Sequence, residues 1–219
     1  MPPTDRLPDV LAAAGDYAWL HRGALAEALI RHLELAGAAL ALAVAICVPA
    51  GIWIARRPGL AEPVIGLFNG LRVVPSLAVL FLALPVLGLG VRPAVVALAL
   101  LAAPPVLLNT TAAFRGLDPS VLEAARGMGM RAGESLRRVE APLALPVVLA
   151  GVRTAAVEVI ASATLAAWIG GGGLGDFIVR GFALGRPAIM LVGAVPVALV
   201  ALGAEVGLGA AERASVHWR

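Results

Sequence analysis

The chain has 219 residues, of which 60% are hydrophobic and 14% charged, with a mean hydropathy of +0.93. Soluble domains carry about a quarter charged residues, so this composition is that of a bilayer protein. All 17 basic residues are Arg, against 14 acidic ones, for a formal net charge of +3. With no Lys, the chain has neither a P-loop lysine for ATP hydrolysis nor a Schiff-base lysine.

The sequence pI near 10.3 does not point to nucleic acid, because the Arg residues flank apolar runs and form no single basic patch. The one cysteine, Cys47, lies within an apolar run and allows no intrachain disulfide. His21, His32 and His217 lack metal-ligand spacing, so neither a metal nor a bound cofactor is expected on this chain.

Residues 1–32 read as a tail on the outer face of a membrane. Met1–Val10 is polar, with Asp5, Arg6 and Asp9, and is not a cleavable signal peptide; the first apolar run serves as an uncleaved insertion signal. Leu7, Val10, Leu11, Tyr17, Leu20, Leu25 and Leu29 recur at roughly helical spacing among charges, which predicts an interfacial amphipathic helix between residues 7 and 30.

A bilayer core needs about 20 apolar residues per helix. That length picks out five spans, at Leu33–Ala55, Val73–Val91, Pro93–Phe114, Leu143–Ile169 and Pro187–Leu208, all in one transmembrane domain over residues 33–213. Arg92-Pro93 alone separates the second and third spans, as in a tight hairpin. Residues 214–219 form a short tail. Pro49, Pro75, Pro85, Pro104-Pro105, Pro146 and Pro196 interrupt the apolar runs, and the backbone groups they free need neighbouring helices or cavity water.

The charged segment 115–142 stands out between the third and fourth spans. Asp118-Pro119-Ser120 can start a helix, with Glu123 near its positive end. Ala124 and Ala125 are small enough to let a partner surface approach. Gly127 and Gly129 then break the helix, so that a second short helix can leave at an angle. With this segment on the cytoplasmic side, Arg56, Arg57, Arg72, Arg115, Arg126, Arg131, Arg137, Arg138, Arg213 and Arg219 gather there. Arg92, Arg180 and Arg186 lie opposite, with Arg6, Arg22 and Arg31 in the tail. The positive-inside rule then sets the N-terminus out and the C-terminus in, with Trp53 at the inner interface and Trp168 at the outer.

Arg153 and Glu158 are the unusual charges of the fourth span. Each costs about 2.5–3.5 kcal/mol at a helix centre, so they either pair, with each other or with backbone carbonyls, or line a pathway. Asn109, Thr110, Ser162 and Thr164 are the polar pathway candidates, each also suited to an interhelical hydrogen bond. Gly170–Gly175 formally fits Gly-x-Gly-x-x-Gly, but it ends a span rather than opening the helix of a βαβ unit. A flexible re-entrant turn on the outer face is expected there. Asn109-Thr110-Thr111 meets the glycosylation sequon but lies inside a span. Gly203-x-x-x-Gly207 suits a helix-packing face or simply a crowded bundle.

Glu123-Ala124-Ala125-x3-Gly129, nine residues, then Val139-x-Ala141-Pro142 resembles the EAA loop of the membrane subunits of ATP-binding-cassette importers, with Val139 where Ile is usual and Ala141 where Leu is usual. Arg72-Val73-Val74-Pro75-Ser76-Leu77, Asn109-Thr110-Thr111, Arg115-Gly116-Leu117-Asp118-Pro119, Ala150-Gly151-Val152-Arg153-Thr154-Ala155 and Trp168-Ile169-Gly170-Gly171-Gly172-Gly173-Leu174-Gly175 extend the resemblance over about Leu33 to Arg213. The order is similar to that in permeases of the osmoprotectant group, which import glycine betaine, carnitine, choline or proline.

The resemblance implies an all-α, polytopic permease of the type I importer fold in a bacterial inner membrane. It would work with a second permease, identical or paralogous, and with two ATPase subunits that hold ATP and Mg. A binding protein would dock on the outer face, near the glycine run. Glu123, Ala124, Ala125, Gly127, Gly129, Val139 and Pro142 would form the coupling element that turns ATPase closure into movement of the spans. The permease itself performs no covalent chemistry. The alternatives are a permease for methionine or another amino acid on the same machinery, and a free-standing channel or secondary transporter. Only 5% of residues are aromatic, with Trp dispersed at positions 19, 53, 168 and 218, so no aromatic cage for a quaternary ammonium is evident. Recognition would fall to the binding protein, with a low-affinity path through this subunit.

Overall fold

A computed structural model describes residues 6–216; Met1–Asp5 and His217–Arg219 lie outside the described residues, and with them Arg219 of the Arg tally and the end of the 214–219 tail. Every regular element among the described residues is helical. α1 (Leu7–Leu20) starts with Pro8 in its first turn, where a missing N–H costs nothing. It stops at His21, whose ring stacks on Tyr17 at 4.0 Å. α1 does not reach residue 30. It buries Ala14 against Phe177, Ile189 and Val192, and residues 22–30 belong to the next helix.

α2 (Arg22–Ala55) is one helix of 34 residues, so the first span begins well before Leu33. α5 (Val91–Arg115) is the most enclosed element and packs between α2 and α8 (Ala141–Ser162). Small residues allow this. Ala39, Ala43, Cys47 and Gly51 recur every four residues along α2 and are all buried. A Cβ at Gly51 would lie 2.8 Å from the Thr110 Cβ of α5, and one at Gly151 of α8 would lie 2.6 Å from the Asn109 Cβ. Backbones this close leave no room for a methyl group.

Between α2 and α5 the structure departs from the expected second span. α3 (Pro58–Leu71) and α4 (Ser76–Leu87) are separate short helices, bent by 97° at Arg72–Pro75. Pro75 has no N–H to offer and pushes Val74 out of helical geometry. Four helical stretches are long and apolar enough to cross a membrane, Arg22–Ala55, Val91–Arg115, Ala132–Ile169 and Pro187–Val216; the bent pair supplies a fifth crossing if taken as one broken span.

The fourth stretch is continuous from α7 (Ala132–Ser135) through a π-helical turn at Leu136–Glu140 into α8, then tightens to a 3-10 segment at Ala163–Ile169. The short helix expected after Gly129 is thus the start of a long apolar helical stretch. The glycine run is also more ordered than a flexible turn. The Gly90 N–H bonds the Ile169 carbonyl and the Gly171 N–H bonds the Ala166 carbonyl, each at 2.8 Å, which pins the start of the run, and the Asp176 N–H bonds the Gly173 carbonyl at 3.1 Å at its end. α9 (Gly175–Ala183) then lies against α10 (Pro187–Val216).

Candidate coupling loop and translocation cavity

The loop begins where α5 ends at Gly116. The Asp118 carboxylate accepts from the Ser120 backbone N–H at 2.8 Å, and Pro119 fills the first turn of α6 (Pro119–Gly127). That hydrogen bond, with a second from the Ser120 hydroxyl, holds the Asp118 carboxyl below the usual carboxylate range. α6 stops because Gly129 takes φ +79, a left-handed conformation open to glycine, while the Met130 N–H closes back on the Ala125 carbonyl at 3.2 Å.

The motif residues separate by face. Ala125 is turned inward and buried, whereas Glu123, Ala124, Gly127 and Gly129 are exposed. Glu123 forms no hydrogen bond or ion pair among the described residues. Val139 is half-buried in the π-helical turn and Pro142 is exposed on the first turn of α8. Met128 was not among the expected coupling residues, yet it is 70% exposed at the tip. Its position between Gly127 and Gly129 is the sequence signal that could have found it: a large apolar side chain where the helix must end.

The π-helical turn is tied to the membrane body. Glu140 accepts from the Arg56 guanidinium at 2.9 Å and from the Ser135 hydroxyl at 3.0 Å, joining the end of α2 to the loop. Arg115 pairs with Glu62 of α3 at 3.1 Å. Between loop and body lies a cavity of about 650 Å³ bordered by Arg56, Phe114, Leu122, Met130 and Glu140. π-helical turns recur at functional sites. Here the turn sits between the loop and α8.

The polar pathway candidates do not form one group. Asn109 donates to the Pro105 carbonyl at 2.8 Å and Thr110 to the Val106 carbonyl at 2.7 Å; both bond within α5 at its contacts with α8 and α2. Thr164 donates to the Ala161 carbonyl at 2.7 Å. Arg153 pairs with neither Glu158 nor a backbone carbonyl. It reaches α10, at 3.3 Å from Glu205 and 3.4 Å from Glu212, the second an ion pair without hydrogen-bond alignment. Five residues along a helix turn through about 140°, so Arg153 and Glu158 face different ways.

Glu158 and Ser162 instead meet Arg72 at the break between α3 and α4. With Val73, Pro75, Ser76, Leu101 and Pro104 they line a cavity of about 260 Å³. Arg72, expected at the cytoplasmic edge, lies beside Leu101 and Pro104, near the middle of α5. Beside the glycine run, Glu27, Arg31, Asp176 and Arg180 surround another cavity of about 280 Å³. Burial pushes the Asp176 carboxyl above its ordinary range, with Arg180 opposing.

Helices that cross a membrane around a broken pair, with a capped helical loop projecting from one end, define a polytopic transport permease. The family model for the binding-protein-dependent transport system inner membrane component matches residues 47–214, and the chain belongs to that family. The carnitine transport permease protein OpuCB of Listeria monocytogenes is 46% identical over 182 residues, covering 83% of this chain and 84% of that protein. The choline transport system permease protein OpuBB of Bacillus subtilis is 41% identical over 191 residues, covering 87% and 88%. The osmoprotectant import permease protein OsmW of Salmonella typhimurium is 40% identical over 185 residues, covering 82% and 86%. Among solved structures, an inward-facing form of the MetNI methionine ABC transporter matches with a TM-score of 0.78 over 87% of this chain and 95% of that one. At 22% identity this likeness establishes the type I importer permease fold and carries no weight for methionine as the solute.

Proposed function

We propose that this chain is a non-catalytic membrane subunit of an ATP-driven importer for small osmoprotectants such as glycine betaine, carnitine or choline. It pairs with a second permease, identical or paralogous. Two separate ATPase subunits, carrying ATP and Mg, dock on α6 from the cytoplasm, and a substrate-binding protein delivers solute to the outer face near the glycine run. The N-terminus lies outside and the C-terminus inside. The relatives' names supply the solute class. The presentation of α6 carries the mechanism: Glu123, Ala124, Gly127 and Gly129 form an exposed face of small groups and one unpaired carboxylate, joined by Glu140 and Arg56 to the spanning helices.

Closure of the ATPases on ATP draws the docked loops together. The π-helical turn passes that movement to α8, and the bundle turns outward; hydrolysis and release reset it. Ala125 and Val139 support the loop from within, and Pro142 fixes the start of α8. Of the polar candidates, we assign Glu158 and Ser162 to the path. Arg153 ties α8 to α10, and Asn109, Thr110 and Thr164 satisfy carbonyls of their own helices.

The test is labelled glycine betaine uptake into vesicles containing this chain and its co-expressed neighbours, with and without ATP. Uptake that requires ATP and disappears in Gly129→Arg is the expected result. A Cβ at Gly129 meets nothing within 4 Å, so the variant acts on the turn and the docking face and spares the bundle. Uptake independent of ATP points instead to a free-standing channel or secondary transporter. Uptake of methionine in place of betaine would move the solute class within the same machinery.

A further inference from the structure

We infer that the cavity at the α3–α4 break is a binding site for a small zwitterion, with Glu158 facing its quaternary ammonium and Arg72 its carboxylate. The proposal rests on the osmoprotectant reading and makes it specific, since neither the family nor the relatives' names assign a site.

Three observations support it. First, Arg72 and Glu158 share one cavity and act on each other electrostatically, yet among the described residues neither closes a hydrogen bond or an ion pair. Arg72 is exposed at the cavity mouth and Glu158 half-buried in its wall, so the two charges stay apart and open to a solute. Held apart, they match a solute whose own charges are separated by a short linker. The other deep charge, Arg153, is by contrast engaged with two carboxylates of α10.

Second, the chain breaks at this point. α4 begins at Ser76 with Pro75 as its N-cap and no side-chain cap, and its first bonded amides are those of Ala78 and Val79, both to the Pro75 carbonyl. The Ser76 and Leu77 N–H groups have no backbone acceptor, so the positive end of this half-helix sits on the cavity wall beside Arg72. Broken helices in transporters present half-helix N-termini to anionic solute groups, and this end adds to the Arg72 charge.

Third, size and walls fit. About 260 Å³ corresponds to about nine waters at ~30 Å³ each, enough for a small solute and too little for a large one. Leu101, Pro104, Val73 and Pro75 offer aliphatic surface to methyl groups, and no aromatic ring lines the cavity. The cation is therefore met by a carboxylate in place of an aromatic cage, which favours weak binding and ready release.

The two charges should be separable by solute. Glycine betaine has both an ammonium and a carboxylate, and choline only the ammonium. Uptake of each is measured in proteoliposomes holding the complete complex with its binding protein. The wild type establishes that both are carried. Arg72→Gln should lower betaine uptake about tenfold more than choline uptake, the usual consequence of losing one charge-assisted contact. Glu158→Gln should lower uptake of both, and Glu158→Asp should restore much of it. The betaine-to-choline ratio within one variant does not depend on how much complex assembles. An unchanged ratio in Arg72→Gln overturns the site and leaves the importer intact. A wild type that carries neither solute overturns the osmoprotectant reading and the site with it.

Discussion

Asp118 and Gly129 bound the exposed helix by opposite means, one by accepting a hydrogen bond and the other by lacking a side chain. Asp118 satisfies an N–H that α6 leaves unpaired at its start, and no other side chain caps that end. Asp118→Ala should therefore fray the first turn of α6, seen as faster amide exchange across 120–124 with no change in α5 or α8. The carboxyl titrates below its ordinary range because the folded state favours the charged form. Its contribution is fully present above the ordinary carboxylate pKa and is lost as pH falls through the lowered folded value. At neutral pH the cap is constant, so any pH dependence of coupling near neutrality must come from elsewhere. Asp118→Asn keeps an acceptor without the charge and should retain most of the protection. If Asp118→Ala exchanges like the wild type, the cap does not hold the helix.

Helix contacts depend on side chains being absent at a few places, and these were only partly legible. The α5–α8 seam has Gly151 against Asn109 and the Pro105 carbonyl, with a built Cβ at 2.6 and 2.7 Å. Gly151→Ala should cost about 1–3 kcal/mol through overpacking, read as a lower unfolding temperature in detergent. Gly203→Ala, in open space inside α10, should instead gain about 0.5–1 kcal/mol from helix propensity. A Gly151→Ala variant as stable as the wild type would show that the seam can move apart freely.

The sequence reads helices well when they are long. The expected 93–114 and 187–208 differ from Val91–Arg115 and Pro187–Val216 only at the ends. It reads them poorly at the broken pair, because α3 has 14 residues and α4 has 12, each below a spanning length, and α3 holds Pro63, Gly59, Gly66 and Gly70. Once α3 is missed, Arg72 becomes an inner-edge charge and its meeting with Glu158 cannot be foreseen. The capped helix α6 was legible for the opposite reason: its cap, small residues and terminating glycine act within a dozen positions. The Arg153 partners lie on another helix, beyond any local pattern.

At the scale of the molecule, orientation is decided by which loops hold Arg, and moving Arg72 to the cavity at the α3–α4 break takes one charge from the inner side. Arg56, Arg57, Arg115, Arg126, Arg131, Arg137, Arg138 and Arg213 remain there, beside short connections where the positive-inside rule applies. Arg92, Arg180 and Arg186 stay opposite; Arg6 and Arg22 flank α1, which packs on the same end of α10 as α9, and Arg31 of α2 lies beside the glycine run. The bias survives the correction. On the proposed orientation the two cavities have opposite roles: the one under α6 faces the ATPases, and the one beside the glycine run faces the solute supply. Cys47 is the only native thiol and is buried, so Cys47→Ala gives a background without reactive cysteine. In that background Ala124→Cys and Leu184→Cys place single thiols on exposed positions of α6 and at the end of α9. A membrane-impermeant maleimide should label Leu184→Cys in intact spheroplasts and Ala124→Cys only in inverted vesicles. ATPase subunits added to stripped inverted vesicles should then protect Ala124→Cys, because the small exposed face of α6 is their proposed docking surface. Labelling of Ala124→Cys from outside would reverse the orientation and remove α6 from any contact with ATP-driven subunits.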